Sequence, residues 1–207
     1  MSINLRPILE RVLELLVNPV QAWRDISSEH DPPSRLVWQY VGLLAVVDAA
    51  CLFLGNALSG RGFWFSLLYA IVVALAFVAL VPVQGMLVAA VASQFESSTS
   101  QDQATRLAAY CATPICASGI VALAPDLFPL AFLAGFVYSG YLFRLGCTEM
   151  LDTPEARATK FAVVATVSWM VMVLVAASVL SRIVALVTVP TALISDLAKS
   201  YPRGAGT

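Results

Sequence analysis

The stretch from Phe63 to Phe95, FWFSLLYAIVVALAFVALVPVQGMLVAAVASQF, contains no Asp, Glu, Lys, Arg or His. An uncharged apolar run of this length reads as a membrane-spanning helix, which needs about 20 residues to cross about 30 Å of hydrocarbon. Cut in two, it would give pieces too short to span, so one long, tilted helix is expected. Pro82 lies inside it, frees the carbonyl of Val78 and predicts a kink.

Upstream, Leu36 to Leu58 forms another span, set off by the turn Ser59-Gly60-Arg61-Gly62 and carrying one charge, Asp48, near its middle. Downstream, the Ser/Thr/Gln-rich segment 96–106 reads as a loop. A third span is expected over about 107–124 and a fourth over about 127–143. Only Pro125 and Asp126 separate these two, which predicts a tight helical hairpin of short spans. Arg144 to Lys160 is the richest charged segment, with Thr153 as a helix N-cap and Pro154 at the first position. The fifth span is expected over about 161–180, with Arg182 at the far interface. The stretch 183–199 is mildly amphipathic and broken at Pro190, and the tail 201–207 reads as disordered.

Before the first span, residues 5–17 place Leu5, Ile8, Leu9, Val12, Leu13, Leu15 and Leu16 at helical spacing, with Arg6, Glu10 and Glu14 sharing a face. This segment is too short to span and predicts an amphipathic helix lying on the membrane or on the bundle. Asn18-Pro19 ends it. A short helical stretch carrying Trp23 follows over 20–26, then a polar, proline-stiffened linker over 27–34. The expected fold class is all-α: a polytopic membrane helical bundle of five transmembrane helices with an N-terminal amphipathic helix. Its parts are a cytoplasmic segment 1–35, a membrane domain 36–182 and a tail 183–207.

Composition agrees with this reading. Of 207 residues, 59% are apolar and 12% charged, and the mean hydropathy is +0.83. Soluble domains run at about 45–50% apolar and about 25% charged, so one water-soluble core cannot hold these residues. Soluble enzymes, disordered chains and nucleic-acid binders are excluded, and the net charge of -1 argues separately against a polyanion partner. The first ten residues lack the apolar core of a cleavable signal, so insertion is expected from the internal spans. Lys and Arg near the spans divide eight against four in favour of the N-terminal side, which predicts N-inside and C-outside.

Few residues suggest chemistry. Cys51, Cys111, Cys116 and Cys147 lie in or beside apolar runs and read as small hydrophobes rather than a disulfide framework. His30 is the single histidine, so no metal site is expected. No nucleophile motif, phosphate loop or paired acids accompany it, so no catalytic residue and no cofactor is expected. Asp48 is the one acid deep in a span, where a charge costs roughly 2.5–3.5 kcal/mol. It is either a proton or cation site or a carboxyl that holds helices together, with Tyr69, Gln84 and Tyr110 as candidate partners. Ala131, Gly135 and Ser139 form a small-residue stripe suited to close helix approach, beside Tyr138 and Tyr141. Tyr141 also fits an interfacial anchor.

Several motifs, taken in order, resemble the Yip family of Ypt/Rab-interacting membrane proteins, and most closely its compact prokaryotic members. These are Asn18-Pro19-x-x-x-Trp23-x-x-Ile26 with Glu29 following, and Tyr110-x-x-x-Pro114 opening the third span. Next come Tyr138-x-x-Tyr141-Leu142 running to Gly146, and the charged helix start Pro154 to Lys160. The resemblance covers roughly 18–182. It implies a non-enzymatic membrane protein, of the bacterial inner membrane for the prokaryotic type, that assembles with itself or with other membrane proteins. In eukaryotic relatives it implies vesicle trafficking and contact with prenylated small GTPases. This chain lacks the Asp-Leu-Tyr-Gly-Pro element and the long hydrophilic N-terminal domain, which weighs against GTPase binding. Trp23, Pro114, Gly135, Tyr138, Ser139 and Tyr141 are candidate packing or partner contacts, and Asp48, Gln84 and Tyr110 a candidate intramembrane polar site. The function expected is a membrane scaffold, accessory or trafficking-related factor. A small ion- or proton-coupled transporter using Asp48 is the first alternative, and a subunit of a larger membrane complex the second.

Overall fold

The computed structural model describes residues 5–28, 32–124 and 126–200, with side chains described for 8–28, 32–124 and 126–188. Glu29, His30, Asp31, Pro125 and the tail 201–207 lie outside the described residues. The chain forms α1 (Leu5–Val17), α2 (Pro19–Ser28), α3 (Pro33–Leu36), α4 (Gly42–Leu58), α5 (Phe63–Ala92), α6 (Gln101–Cys111), α7 (Thr113–Gly119), α8 (Phe128–Met150) and α9 (Glu155–Ser200). There is no strand among the described residues. Among the described residues five helical stretches are long and apolar enough to cross a membrane: Pro33–Leu58, Phe63–Phe95, Gln101–Leu123, Phe128–Met150 and Glu155–Thr188.

Several boundaries differ from the sequence reading. The first span takes in α3 and a π-helical turn, Val37–Val41, before α4, and the expected linker 27–34 gives Ser27 and Ser28 to α2 and Pro33 and Ser34 to α3. The segment 96–106 is not all loop, because α6 starts at Gln101. Ser100 and Gln103 form a capping box: the Gln103 backbone N–H donates to Ser100 Oγ at 3.2 Å, and the Ser100 N–H to Gln103 Oε1 at 3.0 Å. Reciprocal capping satisfies two orphan donors and lets a helix begin in polar sequence. The fourth span is not short, since α8 runs for 23 residues and takes Arg144 and Glu149 into its last turns. α9 continues through Pro190 for 46 residues. At 1.5 Å per residue it measures about 69 Å, more than twice the hydrocarbon thickness.

The third span is the centre of the bundle. In its most apolar stretch 72% of the residues are buried, against 6% for the fifth span. Its backbone is approached by glycines on three different helices. A Cβ on Gly85 of α5 would lie 2.7 Å from Thr105 Cα, and one on Gly135 of α8 would lie 2.8 Å from Pro114 O. A Cβ on Gly55 of α4 would fall 2.1 Å from Ala122 O. Without a hydrophobic drive between helices in lipid, close backbone approach at small residues is what gives dispersion contact. Around this core α4 packs on α5, α5 on α9 and α9 on α8. α9 is held to α5 by the Gln84 amide, which donates to Ala165 O at 2.7 Å, and by the edge-to-face pair Phe77–Trp169, centroids 5.9 Å apart.

Candidate functional site

Two features stand out, and both lie along the third span. The first is where α1 and α2 dock on the bundle end. Trp23 of α2 is fully buried, its ring edge-on to Tyr110 with centroids 6.2 Å apart. Gly146 of α8 makes its slot, since a Cβ there would lie 2.9 Å from Trp23 Cζ2 and 2.2 Å from Leu107 Cδ1. The last turns of both N-terminal helices are satisfied from the bundle. The Tyr138 hydroxyl is shared between Leu15 O at 3.1 Å and Leu16 O at 2.9 Å in α1. Arg106 Nη2 donates to Ile26 O at 3.1 Å in α2. Carbonyls at a helix C-terminus have no intrahelical partner and favour a cation, so these contacts stop the pair from swinging free.

The second feature is the break between α6 and α7. Pro114 cannot donate to a carbonyl, and the helix is interrupted at Ala112. Neighbouring helices answer the polar groups there. Ser139 Oγ of α8 donates to Cys111 O at 2.7 Å, and the hydroxyls of Tyr40 and Thr113 are bonded at 2.7 Å. Tyr110 packs on Tyr40 with centroids 5.2 Å apart. Broken backbone at membrane depth is tolerated where side chains from other helices satisfy it.

Lower on the same span, Asp48 packs against Gly119: a Cβ on Gly119 would fall 1.3 Å from Asp48 Oδ1. The polar trio named from the sequence is not assembled. Gln84 spends its amide on Ala165 and Ser168 of α9, and the Tyr110 ring packs edge-on with Trp23 and tilted against Tyr40. Of the candidate contacts, Trp23, Pro114, Gly135 and Ser139 are buried within this chain, Tyr138 is half-buried and Tyr141 is exposed. Arg106, Gly119, Gly55 and Gly85 were not singled out by the sequence. Arg106 read only as a flanking charge, and lone glycines in apolar runs carry no signal of what they face.

At the same end as Trp23, the loops before α6 and before α9 are tied together. Thr153 Oγ1 donates to Ser97 Oγ at 3.0 Å, which donates to Leu151 O at 2.9 Å, and Arg157 pairs with Glu96 at 2.6 Å. The four cysteines are free thiols. Among the described residues no three His, Cys, Asp or Glu converge as metal ligands.

The Yip1 domain family matches residues 13–180. The chain is similar to inner membrane protein YohC of Escherichia coli strain K12, at 29% identity over 167 residues, covering 74% of this chain and 85% of that protein. The same figures hold for inner membrane protein YohC of Escherichia coli O6:H1. No solved structure gives a significant match.

Proposed function

Because this chain belongs to the Yip1 domain family, we propose that it is a non-enzymatic inner-membrane scaffold or accessory protein. It acts through helix packing in the bilayer and through a cytoplasmic face built from residues 1–35 and 144–160, with the N-terminus inside and the C-terminus outside. The observation that carries this reading is the locked N-terminal helix pair. Trp23, Tyr138 and Arg106 hold α1 and α2 rigidly on the bundle end, so their outer faces form a fixed surface rather than a floppy arm. Arg24 and Asp25 are exposed on α2, and Glu149 and Asp152 are exposed at the end of α8 and in the loop after it. Fixed exposed charge of mixed sign suits recognition of a partner by complementarity.

Trp23→Ala and Gly135→Leu act on the fold first, because both positions are internal. Arg24→Glu combined with Glu149→Lys probes the surface alone. The test is a mild-detergent pull-down of the tagged full chain from its native membrane, with mass spectrometry. The expected result is a stoichiometric partner that the double charge reversal releases while the thermal melting point holds. A chain that comes out with no partner, or one whose partner is indifferent to the reversal, overturns the proposal. Small-GTPase binding is not part of it.

A second reading is favoured by one observation. Among the described residues no hydrogen bond or ion pair is formed by the Asp48 carboxylate, which sits in the first span against Gly119 of the third. An unpaired intramembrane acid is suited to binding a proton or cation. Reconstituted liposomes would then show flux that Asp48→Asn abolishes. Flux absent, or unchanged by the substitution, removes this reading.

A further inference from the structure

Between α8 and α9 runs a groove of about 350 Å³ whose lining is almost wholly apolar, and Arg144 stands at one end of it. On α8 the lining follows Phe136, Val137, Gly140, Tyr141 and Arg144, which is helical spacing along one stripe. On α9 it runs from Thr159 to Val167, so the groove lies along the helices for roughly two turns. In its floor Thr166 Oγ1 donates its hydroxyl proton to Ala162 O at 2.7 Å rather than into the groove. Val137 is 70% exposed and Val163 56% exposed, so the groove opens sideways into the hydrocarbon.

The charge at its end is unmatched. No described residue offers Arg144 a hydrogen bond or an ion pair, whereas Arg157 on the same end of the bundle has Glu96. Lys160 lies three residues before Val163 on the same edge of α9 and is exposed and likewise unmatched. A guanidinium at the membrane interface, above an apolar groove, matches a phosphate joined to an acyl chain. A second copy of the chain fits worse. Two-fold packing about an axis normal to the membrane would bring each Arg144 and Lys160 to the same depth as its symmetry mate, setting like charges together.

We propose that this groove is a binding site for one anionic glycerophospholipid, with an acyl chain along Val137 and Val163 and the headgroup phosphate on Arg144, assisted by Lys160. The site goes beyond the scaffold reading and does not depend on it.

The test is native mass spectrometry of the purified full chain titrated with phosphatidylglycerol or phosphatidylcholine. Wild type is expected to retain one phosphatidylglycerol in preference to phosphatidylcholine. Arg144→Gln should cut that preference about tenfold, the scale of one charge-assisted hydrogen bond. Val163→Trp, at an exposed position that leaves the fold intact, should fill the groove and reduce retention of both lipids. Arg61→Gln, in the turn at the opposite end, should change neither. The proposal is overturned if Arg144→Gln keeps the preference, or if Arg61→Gln loses it equally. It is also overturned if Val163→Trp alters the oligomeric state while lipid retention stays the same, because a second copy would then occupy the groove.

Discussion

At Asp48 and Gly119 a single methyl group decides whether two helices can meet. The Asp48 carboxylate occupies the space that any side chain at position 119 would need. Gly119→Ala must therefore push the acid aside or part α4 from α7, with an overpacking cost of about 1–3 kcal/mol. Removing the acid as well should relieve that cost, so Gly119→Ala and Asp48→Ala are expected to be strongly non-additive in a double-mutant cycle read by thermal unfolding in detergent. Additive losses would show that the two groups do not share this space. Trp23 and Gly146 follow the same logic at the bundle end. The tryptophan was visible in a short helical stretch and in the motif Asn18-Pro19-x-x-x-Trp23, whereas nothing in the sequence around Gly146 announced that its missing side chain is the tryptophan's slot.

Among the elements, the third span shows how local chemistry and packing divide the work. Its start is set by residues four apart at most. Ser100 and Gln103 cap each other's backbone, and Ser100→Ala should cost about 1 kcal/mol and weaken amide protection over 101–104 in hydrogen exchange. Unchanged protection there would mean that tertiary contacts alone hold the first turn. The pattern Ser-x-x-Gln was present in the sequence, but polar composition over 96–106 outweighed it, and the segment read as a loop. The break at Pro114 is likewise a local event, yet its consequences are not local. Ser139 answers the Cys111 carbonyl, and Thr113 pairs with Tyr40 on another helix. The lengths of α8 and α9 were underestimated for one reason. Hydropathy marks where a helix meets lipid, whereas the helix itself continues into polar sequence as long as its backbone hydrogen bonds are kept.

For the whole molecule, the proposed orientation, N-terminus in the cytoplasm and C-terminus outside, rests on an odd number of candidate spans among the described residues and on the positive-inside bias. A reporter enzyme that is active only outside the cytoplasm should work when fused after the last residue and fail when fused before the first. Activity at both ends, or at neither, would contradict this orientation. Class and span number were legible in the sequence because they depend on composition along a line. A segment long and apolar enough for the bilayer declares itself whatever its neighbours are, and the motifs around Trp23, Pro114 and Tyr138 added the family. Only the tertiary structure decided which span is the core, which glycines seat which partners, where Gln84 spends its amide and where an apolar groove ends beneath an unmatched cation. Those answers join residues 81 apart for Gln84 with Ala165, 80 for Arg106 with Ile26 and 122 for Tyr138 with Leu16. Every helix in lipid is apolar on most sides, so periodicity cannot tell a face that meets lipid from one that meets another helix. The distinction rests on small residues and single hydrogen bonds whose partners become neighbours only once the helices have packed.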